Sequence, residues 1–372
     1  MILKKISLIN FRNYDKTELE LANNLNVFVG DNAQGKTNIL EGIYVLALTK
    51  SHRVLVDSNV IKHGKSSCKI IGTILKKDNE KKLEVSINIK NKIVKINNRK
   101  IKKLVNYISN LKVIMFCPDD LEIVKGSPGT RRNYVNIELG QISKKYLTKL
   151  NEYNKILRMR NEYLRLISTK NIDKTYYEII TENLIERAIK IYLMRKEYIE
   201  NINLFIEKIF RKIAGNGKLY LKYDSFVKLD ETNEEKLKEE LKNRFNNIYE
   251  KEIQQGVTLI GPHRDDILFV LDEKDLKLYG SQGQQRAAVL SLKMAEIDVF
   301  YKYTDDYPML LLDDIFSELD NKKVSNILKY LNDKYQIIIT TTDIRNLKKK
   351  LLAKAKIFKI NNGKIEIIHE VK

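Results

Sequence analysis

The octet GDNAQGKT, residues 30 to 37, decides how this chain is read. It satisfies G-x-x-x-x-G-K-T, follows the apolar run LNVFV, and opens a segment in which Ile39, Leu40, Ile43, Leu46 and Ala47 recur at helical spacing. Strand, glycine loop and helix in direct succession form a phosphate cradle. The glycines let backbone N–H groups curl around phosphate oxygens, and the helix N-terminus adds positive potential. In that arrangement Gly30, Asp31, Asn32, Ala33, Gln34, Gly35 and Asn38 line the loop, Lys36 reaches the β and γ phosphates, and Thr37 holds Mg²⁺.

A loop of this kind needs a carboxylate partner, and MLLLDD, residues 309 to 314, supplies one. Its four apolar residues predict a buried parallel strand that delivers Asp313 to its carboxyl end, beside the water shell of Mg²⁺. Asp314 then stands where a carboxylate base can polarise an attacking water. Upstream, YGSQGQQR, residues 279 to 286, sets small residues ahead of an apolar-patterned helix. By itself it reads equally as a second phosphate element or as a turn with a helix cap.

Outward from these motifs, residues 1 to about 116 read as strands around one helix, with a short amphipathic helix at Ile101 to Ile108 before the strand VIMF. The character changes near residue 130. Tyr146, Leu150, Tyr153, Leu157 and Leu164 form one heptad-like stripe, and a second runs from Ile180 to Ile209. The two predict long helices separated near Ser168 to Asp173 and packed as an antiparallel pair. Gly215-Asn216-Gly217 ends the second helix, LYLKY follows as a strand, and residues 231 to about 255 read as one charged helix. From Val257 strands and helices alternate again: VTLIGPHRDDILFVLD, a helix from about Gln284 to Phe300, MLLLDD, a helix near Lys322 to Leu331, and QIIITTTD. The pattern predicts one discontinuous α/β head, residues 1–117 and 256–372, with a mostly helical inserted lobe at 118–255.

The totals set the class of partner. The chain has 372 residues and 68 Lys plus Arg against 48 Asp plus Glu, a formal charge of +20, and a field of that sign attracts nucleic acid or anionic membrane surface. Lys, Asn and Ile are abundant everywhere, so a general compositional bias explains the excess equally well. Cys68 and Cys117 lie far apart in apolar runs, which argues for buried thiols and against a disulfide framework. The N-terminus reads as a strand rather than a signal peptide, and no window approaches a membrane span, so the expectation is a soluble cytoplasmic protein.

The order of the motifs resembles that of the ABC-type ATPases, in which a serine-glycine signature precedes the acidic strand and a short loop follows it. Ser281, Gly283 and Gln284 stand about thirty residues before Asp313, and Ser317-Glu318-Leu319-Asp320 follows directly. Finer matches resemble the RecF recombination proteins, kin of the SMC chromosome ATPases: NFRNY at 10 to 14, GDNAQGKTN at 30 to 38, SHR at 51 to 53, PDDLEIVKGSPGTRR at 118 to 132, LIGPHRDD at 259 to 266, SQGQQR at 281 to 286, LLLDDIFSELD at 310 to 320 and TTTD at 340 to 343.

The resemblance implies an ABC/SMC-like P-loop ATPase head with a short helical lobe in place of a long coiled coil. It further implies ATP and Mg²⁺ as cofactors and dimerisation on DNA around ATP. Weak DNA-stimulated hydrolysis without nuclease activity, partnership with RecR and RecO, and help in loading RecA at gaps or single-strand/duplex junctions are implied too, in replication, repair and the SOS response at the nucleoid. Carried over by residue, Ser281, Gly283 and Gln284 act on the γ-phosphate held by a second copy, Asp320 lies in the loop between subunits, and Arg12 borders the nucleotide. Two departures stand out: Asp314 replaces the usual glutamate, and Thr342 replaces a phosphate-sensing histidine. The shorter carboxylate predicts slow turnover. A transporter's nucleotide-binding subunit would share the loop and signature, but it explains neither the basic helical insertion nor LIGPHRDD. A DNA-end nuclease would need a further acidic cluster that the sequence does not offer.

Overall fold

The computed structural model describes residues 1–76, 79–167, 174–228, 233–315, 334–347 and 352–370. The chain divides into two compact units: Met1–Asp120 with Lys212–Ala214 and Lys293–Lys372, and Leu121–Arg211 with Gly215–Leu292.

Two six-stranded sheets build the first unit. One is antiparallel, running Tyr14–Glu20, Ile2–Phe11, Ser67–Lys76, Asn79–Asn88, Lys92–Ile96, Arg99–Lys100 across the sheet. The other has a parallel core in the order Ala355–Asn361, Leu25–Val29, Ile337–Thr341, Met309–Asp313, Val113–Phe116, with Lys364–His369 antiparallel at its edge. Strands buried on both faces read as continuous apolar runs, and MLLLD and VIMF are buried at every position. The helix Lys36–Leu48 packs against both sheets, so eleven of its thirteen residues are buried and its apolar stripe is wider than one face. Contact is close: a Cβ on Gly42 would lie 2.7 Å from Leu8 Cδ2. Buried Gln336 links the sheets through its amide, accepting from Leu3 N–H at 2.8 Å and donating to the Leu3 and Ala22 carbonyls at 2.9 and 2.8 Å.

The second unit is mainly helical. Lys144–Ile167 and Lys174–Ala214 run antiparallel: Tyr163 meets Tyr176 edge to face at 4.6 Å, Arg160 donates to Thr181 and Tyr177, and, farther along, Arg195 donates to Tyr146. A three-stranded sheet, Leu219–Asp224, Asp266–Leu271 and Lys274–Asp275, completes the unit. Gly215–Leu292 groups with this unit, and within it Asp266–Leu271 finds its ladder partner in Leu219–Asp224.

Local differences from the sequence reading have identifiable causes. The expected strand pattern at 257–272 begins as a strand only at Asp266, because Gly261, at φ 132, and Pro262 turn the backbone first. The charged segment is two helices, Glu234–Asn247 and Tyr249–Gln255, and Asn233 caps the first by accepting from Glu235 and Lys236 N–H. The helix Pro128–Ile142 escaped notice because Arg131, Glu138 and Gln141 occupy buried positions that a periodicity search scores as polar. The terminal hairpin turns on Asn362-Gly363, both at positive φ, a turn signal present in the sequence. The predicted helix near Lys322 to Leu331 and the loop with Asp320 lie outside the described residues. Both cysteines are free thiols, Cys68 buried and Cys117 half-buried. Among the described residues no helix is long and apolar enough to cross a membrane.

Candidate nucleotide site

The loop at 30–37 is shaped by what surrounds it. Gly30 has no room for a side chain, since a Cβ would stand 2.4 Å from the Ile360 carbonyl oxygen. Gly35, at φ 112, would place a Cβ 2.6 Å from Asn13 Nδ2 and 2.8 Å from the Tyr14 hydroxyl. The segment Asn13-Tyr14 therefore forms a backstop: Tyr14 OH donates to the Gly35 carbonyl at 3.1 Å and Asn13 to the Gln34 carbonyl at 3.3 Å. From the terminal hairpin, Asn362 and Gly363 N–H donate to the side chain and carbonyl of Gln34. Asp31, Asn32 and Ala33 stay exposed at the mouth, and the N-cap residue of the following helix, Gly35, makes no side-chain cap. The first N–H groups of that helix are thereby left for an incoming acceptor.

Inside the loop the polar groups pair with one another. Buried Lys36 donates from Nζ to the Gly30 and Asp31 carbonyls at 2.6 and 2.7 Å. Burial pulls its ammonium below the ordinary lysine range, while Asp314, Asp313 and Asp31 act in the opposite sense. Thr37 Oγ1 donates to Asp313 Oδ1 at 2.9 Å, and Thr340 Oγ1, from the adjacent parallel strand, donates to the same oxygen at 2.7 Å. Asp314 is held by its backbone, at φ 48, with its N–H on the Thr340 carbonyl and hydroxyl. The hydroxyl and the carboxylate needed for a hydrated Mg²⁺ thus sit together, and the ammonium rests where phosphate oxygens could replace loop carbonyls, so the donor set fits ATP with Mg²⁺.

Arg12 pairs with the helix that follows the loop. Its guanidinium grips Glu41 in a two-pronged pair, 2.8 and 2.5 Å, and donates to the Asn59 carbonyl at 2.9 Å. Glu41 also accepts from Ser51 at 2.6 Å and faces Arg53 at 3.6 Å, while Arg53 reaches Asn38 at 3.2 Å. Burial alone would raise the Glu41 carboxyl, but the bonds from Arg12 and Ser51 and the charge of Arg53 bring it below the usual carboxylate range. The NFR and SHR motifs meet at Glu41, one turn beyond Thr37, and brace the start of the helix. Sequence reasoning missed Glu41. Its signal was a lone carboxylate within the apolar run ILEGIYVLAL.

In the second unit, Ser281 stands immediately ahead of the helix Gln282–Thr304. Ser281 Oγ accepts from Gln284 N–H at 3.3 Å, and Gln284 Oε1 accepts from Ser281 N–H at 2.9 Å, a reciprocal capping box. Ser281, Gly283 and Gln284 are all exposed, as are Leu278 and Tyr279 at about 70%. Among the described residues a Cβ on Gly283 would meet only Ser281 Oγ, at 4.0 Å, so none of them requires glycine there.

A glycine loop between a buried parallel strand and a helix clasped by two sheets, with an acidic strand alongside, is the head fold of RecF and SMC ATPases. The model of the RecF/RecN/SMC N terminal domain family matches residues 2–366. The DNA replication and repair protein RecF of Ligilactobacillus salivarius is 42% identical over 98% of this chain and 97% of its own length. That of Listeria innocua is 41% identical over 98% and 100%. Among solved structures, the recombination mediator protein RecF with ATP superposes with a TM-score of 0.92 at 33% identity, covering 99% of this chain and 98% of that one. An Smc head bound to the C-terminal winged-helix domain of ScpA shares the fold at a TM-score of 0.57 and 15% identity, over 99% and 97%. The chain belongs to the RecF family.

Proposed function

We propose that this chain is an ATP-dependent recombination mediator that closes into a homodimer around ATP on DNA. The observation that carries the reading is the 2.9 Å bond between Thr37 and Asp313, residues 276 positions apart, at the carboxyl edge of the parallel sheet. In this reading Gly30 to Asn38 cradle the phosphates, Lys36 leaves its loop carbonyls for the β and γ oxygens, and Thr37 and Asp313 hold Mg²⁺. Bound there, Mg²⁺ would offset charge on the phosphates. Asp314 orients the attacking water; its short side chain, on a backbone pinned to Thr340, makes turnover slow and the ATP state long-lived. Arg12 supports the site through Glu41.

Ser281, Gly283 and Gln284 act in trans: an exposed capped helix end beside an unfilled glycine suits close approach by a second copy. Asp320 joins them at the subunit interface. The ATPase head is discontinuous in sequence, with the helical lobe inserted between its two parts. DNA contact comes mainly from Lys and Arg to phosphates, so binding is steep in salt and indifferent to sequence. RecR and RecO are the partners, RecA loading at gaps and junctions is the outcome, and the nucleoid in the cytoplasm is the place.

Sedimentation with and without ATP and duplex DNA tests this reading. Wild type should dimerise with ATP, Lys36→Met should remain monomeric, and Ser281→Arg should bind ATP without dimerising. A Ser281→Arg protein that dimerises normally would remove the trans role.

A further inference from the structure

The second unit contains a cavity of about 170 Å³ assembled from motifs that the ATPase reading leaves unused, GSPGTRRN and GPHRDD. Arg132 and Arg195 line it together with Asn133, Asn136, Asn154 and His263, and Gly129 adds the first turn of the helix Pro128–Ile142. Among the described residues no carboxylate lines it. At about 30 Å³ per water, the volume holds some five waters, room for one tetrahedral oxyanion.

The walls are pre-set to donate. Arg195 is fully buried and fixed by the Pro262 carbonyl at 2.6 Å, Tyr146 OH at 3.0 Å and Asn136 Oδ1 at 3.0 Å. Asn136 Oδ1 also accepts from Tyr146 OH, so its orientation is set and its NH₂ group has no protein partner among the described residues. Arg132 spends Nη1 on the Asp265 carbonyl and keeps its other N–H groups for the cavity. His263 Nε2 must donate to the Thr258 carbonyl at 3.1 Å, which makes Nδ1 the acceptor of Tyr153 OH at 2.6 Å. Of the nearby carboxylates, Asp266 is clamped by Arg131 at 2.6 and 2.8 Å, whereas Asp265 accepts from Tyr223 OH at 2.6 Å and faces Arg195 at 3.9 Å through Oδ2, its buried Oδ1 having no partner among the described residues. Burial pushes His263 down to about 4, so at neutral pH the imidazole is uncharged; Asp265, pushed up to about 6, is mostly ionised there and offsets part of the charge of Arg195, which leaves Arg132 to face the cavity.

We propose that this cavity is a phosphate-binding site of the helical unit, taking a phosphate group either from a nucleic acid backbone or as a free phosphate. Planar guanidinium forks, amide donors and a helix N-terminus, with no facing carboxylate, are the donor set that recognises phosphate. The site does not depend on ATP bound at residues 30–37.

The experiment uses the Lys36→Met protein, so that the loop at 30–37 does not compete, and adds Arg132→Gln or Asn154→Glu. The Asn154 side chain is exposed and makes no hydrogen bond among the described residues, so its variant tests the site even if Arg132→Gln loosens the turn. Inorganic phosphate, titrated by ³¹P NMR and thermal shift, should bind the parent and bind each variant at least fivefold more weakly. Duplex-DNA affinity is then measured against salt. A slope lower by about one in the variants identifies a backbone phosphate as the source, and an unchanged slope with weakened inorganic phosphate identifies free phosphate. Equal phosphate binding by parent and variants, or no phosphate binding with an unchanged DNA slope, overturns the proposal.

Discussion

The nucleotide loop of the first unit and the arginine network of the second treat buried polar groups in opposite ways. At the loop, the partners of Lys36 are carbonyls of its own loop and the partner of Thr37 is a single carboxylate oxygen, bonds that an incoming phosphate and metal can replace. In the helical unit, Arg160 is wholly buried and permanently engaged: it donates to Glu252, Tyr177, Thr181 and Thr258, all within 2.6 to 2.9 Å, between the rings of Tyr177 and Phe245. Exchangeable bonds mark a place for a ligand, whereas saturated ones fix a framework.

The sharpest way to break this contrast is Arg160→Met. It leaves the Glu252 carboxylate buried and uncompensated, and should cost about 3–5 kcal/mol in urea unfolding of the full chain, most of it regained when Glu252→Leu is added. Nearly as large is a pH effect hidden by cancellation. Asp265, raised from 3.8 to about 6, contributes stability that is present at low pH and lost as pH rises through that window. His263, lowered from 6.5 to about 4, contributes stability present above 6.5 and lost as pH falls. Each effect is on the order of 3 kcal/mol, so the two contributions should largely cancel between pH 4 and 6. Asp265→Asn should make stability rise with pH across that range, and His263→Gln should make it fall; parallel flat profiles in both variants would contradict the assignment.

Smaller effects sharpen the loop side. Gly35→Ala meets both an unfavourable φ and the Asn13 and Tyr14 side chains, and should cost about 2 kcal/mol along with measurable nucleotide binding. Thr37→Val should change stability least, by under about 1 kcal/mol, because Thr340 keeps its bond to Asp313. Its ATP affinity in Mg²⁺ should nonetheless fall at least tenfold by calorimetry, whereas affinity measured in EDTA should change little.

Legibility followed the range of the interactions. GDNAQGKT could be read because a phosphate cradle is made by consecutive backbone groups, and glycine, lysine and threonine at set offsets are its direct cause. MLLLDD could be read because a strand buried on both faces must be apolar, and the long helices because a heptad stripe is local. Glu41 was not legible as a hub, since the arginines and serine that hold it come from positions 12, 51 and 53. The role of SQGQQR was only half legible: its capping box is local, but exposure of Ser281 and the empty space at Gly283 are properties of a folded surface.

The sequence by itself therefore determined the strand, loop and helix around residues 30–37, the buried strand ending at Asp313, the long helices and membership of the RecF family, each carried by motifs local in sequence. Tertiary structure alone decided that Arg12 serves Glu41, that residues 256–292 complete the sheet of the helical unit, and that GPHRDD and PGTRRN enclose one cavity with Arg195. Those outcomes depend on which distant segments share a ladder or a buried charge, and a side chain's partners are set by where the backbone carries it rather than by its neighbours in sequence.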